Sequence, residues 1–205
     1  MAFKIRNTPK LTIRKNEKGE FICTLKEVRL IHEHVFEAWS GDDDGTPRFS
    51  GKFHAPNETH EEEIEILQEL NDHLREEWFD GRKMKADHFY LRDGDEEATE
   101  ELHDGFFVSA GEKANRPPAV IDRDKSKIKA GGKIHSGTYV NVMFKPWKQD
   151  NKYGKKINAN LLAVQFFKKG DVVEGQGGIS KKDIDEGFDE YEAEPMDDED
   201  GDGLD

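Results

Sequence analysis

From Glu20 to Trp39 the chain reads EFICTLKEVRLIHEHVFEAW, a run rich in β-branched and aromatic residues that partly alternate with polar ones. Successive side chains of a strand point to opposite faces, so the pattern predicts one long strand or two consecutive ones. GDDDGTP (41–47) predicts a turn, and RFSGKFHAP (48–56) the returning strand. The next segment changes period. Ile64, Leu67, Leu70, Leu74 and Trp78 recur at helical spacing and predict an amphipathic helix. Thr59 and Glu62 predict a capping box at its start, and Gly81 a stop at its end.

Short strands are expected in DHFYLRDGDEE and GFFVSAG, separated by an acidic loop. NRPPAVID is expected to be extended, because proline fixes its own φ and biases its predecessor away from helix. GTYVNVMFKPW and INANLLAVQFF then form a β-hairpin around the loop KQDNKYGKK. Alternation there puts Val140, Val142 and Phe144 on a core face and Tyr139, Asn141, Met143 and Lys145 on the other. The glycines of GDVVEGQGG mark a boundary, and from about Asp183 disorder is expected. The outline is mainly β: one domain over residues 1–178 with one helix, then a flexible acidic tail over 179–205.

Charge sharpens this outline. The 205 residues carry 45 acidic and 31 basic side chains, a net of −14, but unevenly. Residues 1–112 hold 27 acidic against 15 basic, and residues 183–205 hold 13 acidic and none basic. Residues 113–169 reverse the sign, with 14 basic against 3 acidic. Local charge governs binding, so the basic block is the candidate site. Within it Arg116, Arg123, Lys125 and Lys133 precede the hairpin, whose Lys145, Lys148, Lys152, Lys155 and Lys156 surround Tyr139, Trp147 and Tyr153. Cations interleaved with rings suit single-stranded nucleic acid: unpaired bases stack on the rings and phosphates pair with the cations. A duplex fits less well, because the predicted helix carries mainly Glu and Asp.

Other chemistry is thinly represented. Cys23 is the single cysteine, expected as a buried, inert thiol, which excludes an intramolecular disulfide and a multi-cysteine zinc site. The eight histidines read as scattered surface residues; HEEEI lacks the second histidine of a zinc-protease helix. The tail's Asp198, Asp200, Asp202 and Gly203 imitate the start of a calcium loop, but the chain ends before the required glutamate. No cofactor is implied. A metal-dependent nuclease and an acidic DNA mimic are the alternatives to a binding protein. No signal peptide or membrane-length apolar run is read, so a soluble protein of a reducing cytoplasm is expected, as a monomer or a homodimer.

RPPAVIDRDKSKI and IHSGTYVNVMFKPWKQDNKYGKKINANLLAVQFFKKGD together resemble the single-stranded DNA-binding proteins of tailed bacteriophages. The shared features are the proline-led PPAVIDRD, the strand opening at SGTYV, the NKYGKK loop and the closing NLLAVQ, covering about residues 113–175. The resemblance implies an OB-fold, a Greek-key barrel with a helix capping one end. It implies binding to single-stranded DNA in phage replication, recombination and repair, inside the infected bacterial cell. Tyr139, Trp147, Tyr153 and the surrounding lysines would then line the groove. The acidic tail would contact replication proteins such as a polymerase, primase or helicase. Its candidate contacts are Phe188, Tyr191, Asp197, Asp198, Glu199, Asp200, Asp202 and Leu204. Some relatives end in an aromatic residue, whereas here Leu204 is the apolar residue nearest the terminus. As a flexible coil the tail reaches about 25 Å, enough to compete with DNA for the basic groove.

Overall fold

The computed structural model describes residues 3–40, 45–129 and 133–173, within a unit spanning Met1–Val173. The strands are β1 (Leu11–Lys15), β2 (Phe21–Trp39), β3 (Arg48–Pro56), β4 (Leu91–Asp93), β5 (Gly105–Lys113), β6 (Ala119–Ile121), β7 (Tyr139–Asn151) and β8 (Gly154–Lys168), with helix α1 (Asn57–Phe79) after β3. They join in the order β4-β5-β3-β2-β7-β8-β6, with β1 on β2. A parallel bridge from Gly111 to Asn160 joins β5 to β8 and closes β2, β3, β5, β8 and β7 into a five-stranded barrel of the expected OB type. No helix among the described residues is long and apolar enough to cross a membrane.

The run 20–39 forms one strand rather than two. Its pairing slips between Leu25 and Val28 and again between Ile31 and His34, where Glu27 and His32 adopt positive φ. Such bulges bend a strand, which lets β2 curl around the barrel and pair with β7 at one end and β3 at the other. Asn141 stabilises the first bulge by accepting the Glu27 N–H at 3.0 Å.

Helix α1 buries Ile64, Ile66, Leu67, Leu70 and Leu74 against the barrel, while Trp78 is only half-buried. Each fully buried aliphatic side chain contributes roughly 1.5–3 kcal/mol. The expected capping box does not form. The chain enters the helix at Asn57, and no side chain caps the N-terminus. The reason is His60, which departs from helical geometry and turns inward to full burial. Its Nδ1 takes the Thr59 hydroxyl at 2.8 Å, and its Nε2 meets the Lys26 carbonyl at 3.0 Å. The stop is as expected, with Asp80 and Gly81 both left-handed and both N–H groups returning to the Arg75 carbonyl.

Cys23 is fully buried and burial pushes its thiol up, in line with an inert role. The histidines correct the sequence reading, since His54 and His60 are core residues and not surface ones. Burial holds both below the ordinary histidine value of 6.5. The unfolded chain therefore takes up protons that the folded chain refuses, so their stabilising effect is complete above pH 6.5 and declines as pH falls through that value. The urea midpoint is expected to drop between about pH 7.5 and about pH 5.5, and His60→Gln to reduce that drop. An unchanged midpoint in the native chain counts against the assignment.

Residues 169–173 return across the barrel, where the left-handed Gly137 leaves room for the backbone at Asp171. Val173 donates its N–H to the Ser136 carbonyl at 3.0 Å and packs with Ile31, Leu102 and Phe107 in a small second cluster. The described chain ends there. Phe188, Tyr191, Asp197, Asp198, Glu199, Asp200, Asp202, Leu204, the expected tail disorder and the 178/179 boundary all lie outside the described residues.

Candidate nucleic-acid interface

The β7–β8 hairpin is longer than its sequence suggests. The expected nine-residue loop shrinks to a two-residue turn, Lys152–Tyr153, because pairing continues through Lys148↔Ile157, Gln149↔Lys156 and Asp150↔Lys155 to Asn151↔Gly154. Alternation therefore runs to the tip and sorts the lysines by face. Tyr139, Asn141, Met143, Lys145, Trp147 and Gln149 share the outer face of β7, next to Lys156, Asn158 and Asn160 of β8. Val140, Val142 and Phe144 are buried on the inner face, as expected.

Lys148 and Lys155 fall on the inner side. Their ammonium groups lie 4.9 and 5.3 Å from the centre of the Phe79 ring, at the end of α1. Both face Asp150, at 3.9 and 2.6 Å, and the Lys155 hydrogen bond holds that carboxyl below its usual range. This pair braces the hairpin against the helix. Lys145 stays on the outer face and meets Glu20 at 2.9 Å, which lowers the Glu20 carboxyl. Trp147 is half-buried there, its Nε1 enclosed without a hydrogen-bond partner. At the tip Tyr153 is 72% exposed, with Lys152 over its ring at 4.9 Å.

Tyr139 stands at the other end of the same face, roughly 26 Å from Trp147 at about 3.3 Å per residue, with Lys168 over its ring at 4.4 Å. Arg123 and Lys133 join this end. The Arg123 guanidinium donates to the Phe167 carbonyl and lies against the Phe166 and Phe167 rings. Lys133 pairs with Asp122, lowering that carboxyl. Lys125, at positive φ, closes the adjoining turn through its N–H to the Asp122 carbonyl. Arg116 stands apart from the hairpin, beyond β5, where it pairs with Glu112 at 3.1 Å. The structure thus brings Tyr139, Lys145, Trp147 and Lys156 onto one sheet face, with Arg123, Lys125 and Lys133 at the β6–β8 edge, Lys148 and Lys155 behind the face and Arg116 elsewhere.

The same face extends onto strands whose charge pattern had not marked them. Thr12 pairs with Thr24, which pairs with Met143, and Arg14 pairs with Ile22. Ile22 adjoins Cys23, the partner of Phe144, and so lies beside Lys145. Residues 1–112 are net acidic as a whole, but residues 1–15 hold five basic and no acidic side chains, and the alternation in LTIRK places Arg14 opposite the buried Leu11 and Ile13. Among the described residues no group of three His, Cys, Asp or Glu side chains could hold a metal ion.

A family model described as Enterobacter phage Enc34, ssDNA-binding protein, matches residues 22–199. Protein p50 of Acyrthosiphon pisum secondary endosymbiont phage 1 is 30% identical over 171 residues, covering 79% of this chain and 91% of that protein. Among solved structures, the single-stranded DNA-binding protein of bacteriophage Enc34 in complex with ssDNA aligns with a TM-score of 0.68 at 26% identity, over 82% of this chain and all of that one. The single-stranded DNA-binding protein gp2.5 of bacteriophage T7 shares the fold, with a TM-score of 0.51 at 13% identity over 84% of this chain and 98% of that one. The family is one of binding proteins and not of enzymes, which sets the nuclease alternative aside. The barrel, its capping helix and the matched span together establish that this chain belongs to the phage Enc34 single-stranded DNA-binding protein family.

Proposed function

We propose that this protein coats single-stranded DNA during phage replication, recombination and repair in the cytoplasm of the infected bacterium, without regard to base sequence. The observation that carries the reading is the outer face of β7 and β8, where Trp147 and Tyr139 share one surface with Lys145, Lys156 and Lys168. Rings stack on any base and ammonium groups meet any phosphate, so neither contact selects a sequence. Coating would protect exposed strands and remove hairpins that stall synthesis. Titrating the full chain with single-stranded and duplex oligonucleotides tests this directly. Indole emission is expected to quench with the single strand and much less with the duplex; equal affinity for both sinks the reading.

Residues 179–205 act in this reading as a separate acidic tail that competes with DNA for the basic face. Once displaced, its Phe188, Tyr191, Leu204 and carboxylates (Asp197, Asp198, Glu199, Asp200 and Asp202) recruit a polymerase, primase or helicase. The charge contrast between tail and basic block supports competition. Deleting residues 183–205 is expected to tighten DNA binding, most clearly at low salt. Unchanged affinity removes the competition.

A further inference from the structure

Between α1 and β4 lies a hollow of about 380 Å³, walled by Phe89, Leu91 and Phe106. β4 ends the sheet and pairs only with β5 among the described residues. Leu91, Arg92 and Asp93, the whole of that strand, line the hollow. Alternating side chains cannot all reach one space from a single face, so the hollow runs along the strand's unpaired edge. An open edge is a ready template for one more strand. The helix adds polar groups to it. Asn71 and Arg75, one turn apart on α1, line the same space. Asn71 is 7% exposed, and its Oδ1 has no hydrogen-bond partner among the described residues. The Arg75 guanidinium pairs with Asp72 at 3.0 Å through a terminal nitrogen, while its Nε is enclosed without an acceptor. Buried polar groups are nearly always paired, so an open acceptor beside an open donor points to a ligand. One peptide unit, with its own N–H and C=O, completes both.

Charge decides which peptide. Helix α1 carries nine carboxylates against Arg75, and residues 86–104 carry eight against Arg92. Asp93 and the exposed Glu96 belong to the lining itself. Such a surface repels phosphate and the acidic tail alike, and attracts cations. A second copy's basic block is the part that meets DNA in the reading above, which leaves a different protein as the occupant.

We propose that the hollow between α1 and β4 is a docking site for an extended, arginine-bearing segment of another protein, laid along β4 as an added strand. Its main chain bonds to the β4 edge, Asn71 and Arg75, the mode in which an extended peptide augments a sheet. Its arginines meet Asp93 and Glu96 and lie over the half-buried Phe89 and Phe106 rings. Arginine suits this place better than lysine, because its planar cation both stacks on rings and pairs bidentately with carboxylates. The site differs from the acidic tail in offering strand pairing and an apolar wall as well as charge. It therefore selects an extended segment rather than any polycation.

The probe is a capped ten-residue peptide alternating arginine and valine, titrated into the isotope-labelled full chain and followed by NMR. The backbone amides of Leu91, Arg92 and Asp93 and the side-chain amide of Asn71 should shift saturably. A peptide alternating glutamate and valine should leave them in place. Glu96→Lys should weaken binding of the arginine peptide about three- to tenfold, since it removes one exposed ion pair and adds a repulsion. Capture of the peptide by the tail is the same in both chains and cancels in the comparison. The variant's affinity for an oligo-dT should stay within about twofold of native; a larger loss assigns the hollow to the DNA surface and overturns the inference. Shifts confined to residues 183–205, or equal peptide binding by both chains, also overturn it. So does self-association of the native chain in sedimentation that Glu96→Lys abolishes, because the occupant is then a second copy.

Discussion

Raising salt from about 50 to about 200 mM is expected to weaken single-strand binding roughly 100- to 1000-fold, the consequence of neutralising about five to seven phosphates at a logarithmic slope near 0.7 each. The protein's net charge of −14 does not oppose this, because the relevant field is local and the basic residues are concentrated. The faces of the hairpin make the expectation specific. Lys145→Ala or Lys156→Ala should each flatten the slope by about 0.7, as the loss of one phosphate contact requires. Lys148→Ala and Lys155→Ala should leave the slope alone and lower the melting temperature instead, since both ammonium groups lie over Phe79 and flank Asp150. Equal slope changes from all four substitutions would show that the two faces of the hairpin serve DNA alike, against the assignment made here.

Trp147→Ala is expected to cost about five- to a hundredfold in affinity, one stacked base. Trp147 stands on the outer face, beside Lys145 on its own strand and opposite Asn158. Its ring is only half-buried there. Removing the ring therefore opens no cavity in the barrel core, and the variant should stay folded. Trp147→Phe should keep most of the affinity, because it keeps a stacking face. A variant that unfolds would place the ring among the supports of the barrel, and one that binds undiminished would remove it from the interface.

Much of the architecture is legible in the residue pattern. Alternation in YVNVMF separates Val140, Val142 and Phe144 from Tyr139, Asn141 and Met143, and the helical stripe from Ile64 to Leu74 lies on the barrel as its period requires. The capping box was misleading for a physical reason. Thr59 and Glu62 have the right spacing, but the inward turn of His60 claims the Thr59 hydroxyl. The histidines were misjudged likewise: their polarity suggests exposure, while His60 finds its partners in a carbonyl of a neighbouring strand and in Thr59. The hairpin loop was overestimated because its polar letters resemble a turn, although all but Lys152 and Tyr153 have a partner across the ladder.

The sequence by itself determined a β-rich chain with one helix and a basic, ring-bearing block as the candidate site, because periodicity and local charge are properties of neighbours along the chain. Its resemblance to phage single-stranded DNA-binding proteins supplied the barrel and the family. Only the tertiary structure decided which cations share a surface. It put Lys148 and Lys155 behind the hairpin, set Arg14 beside Ile22 and Lys145, and joined Lys145 to His34 through Asn160, Gly111 and Ser50. The physical reason is barrel closure. Strand pairing brings together residues more than a hundred positions apart, and no pattern along the chain specifies which strand will lie beside which.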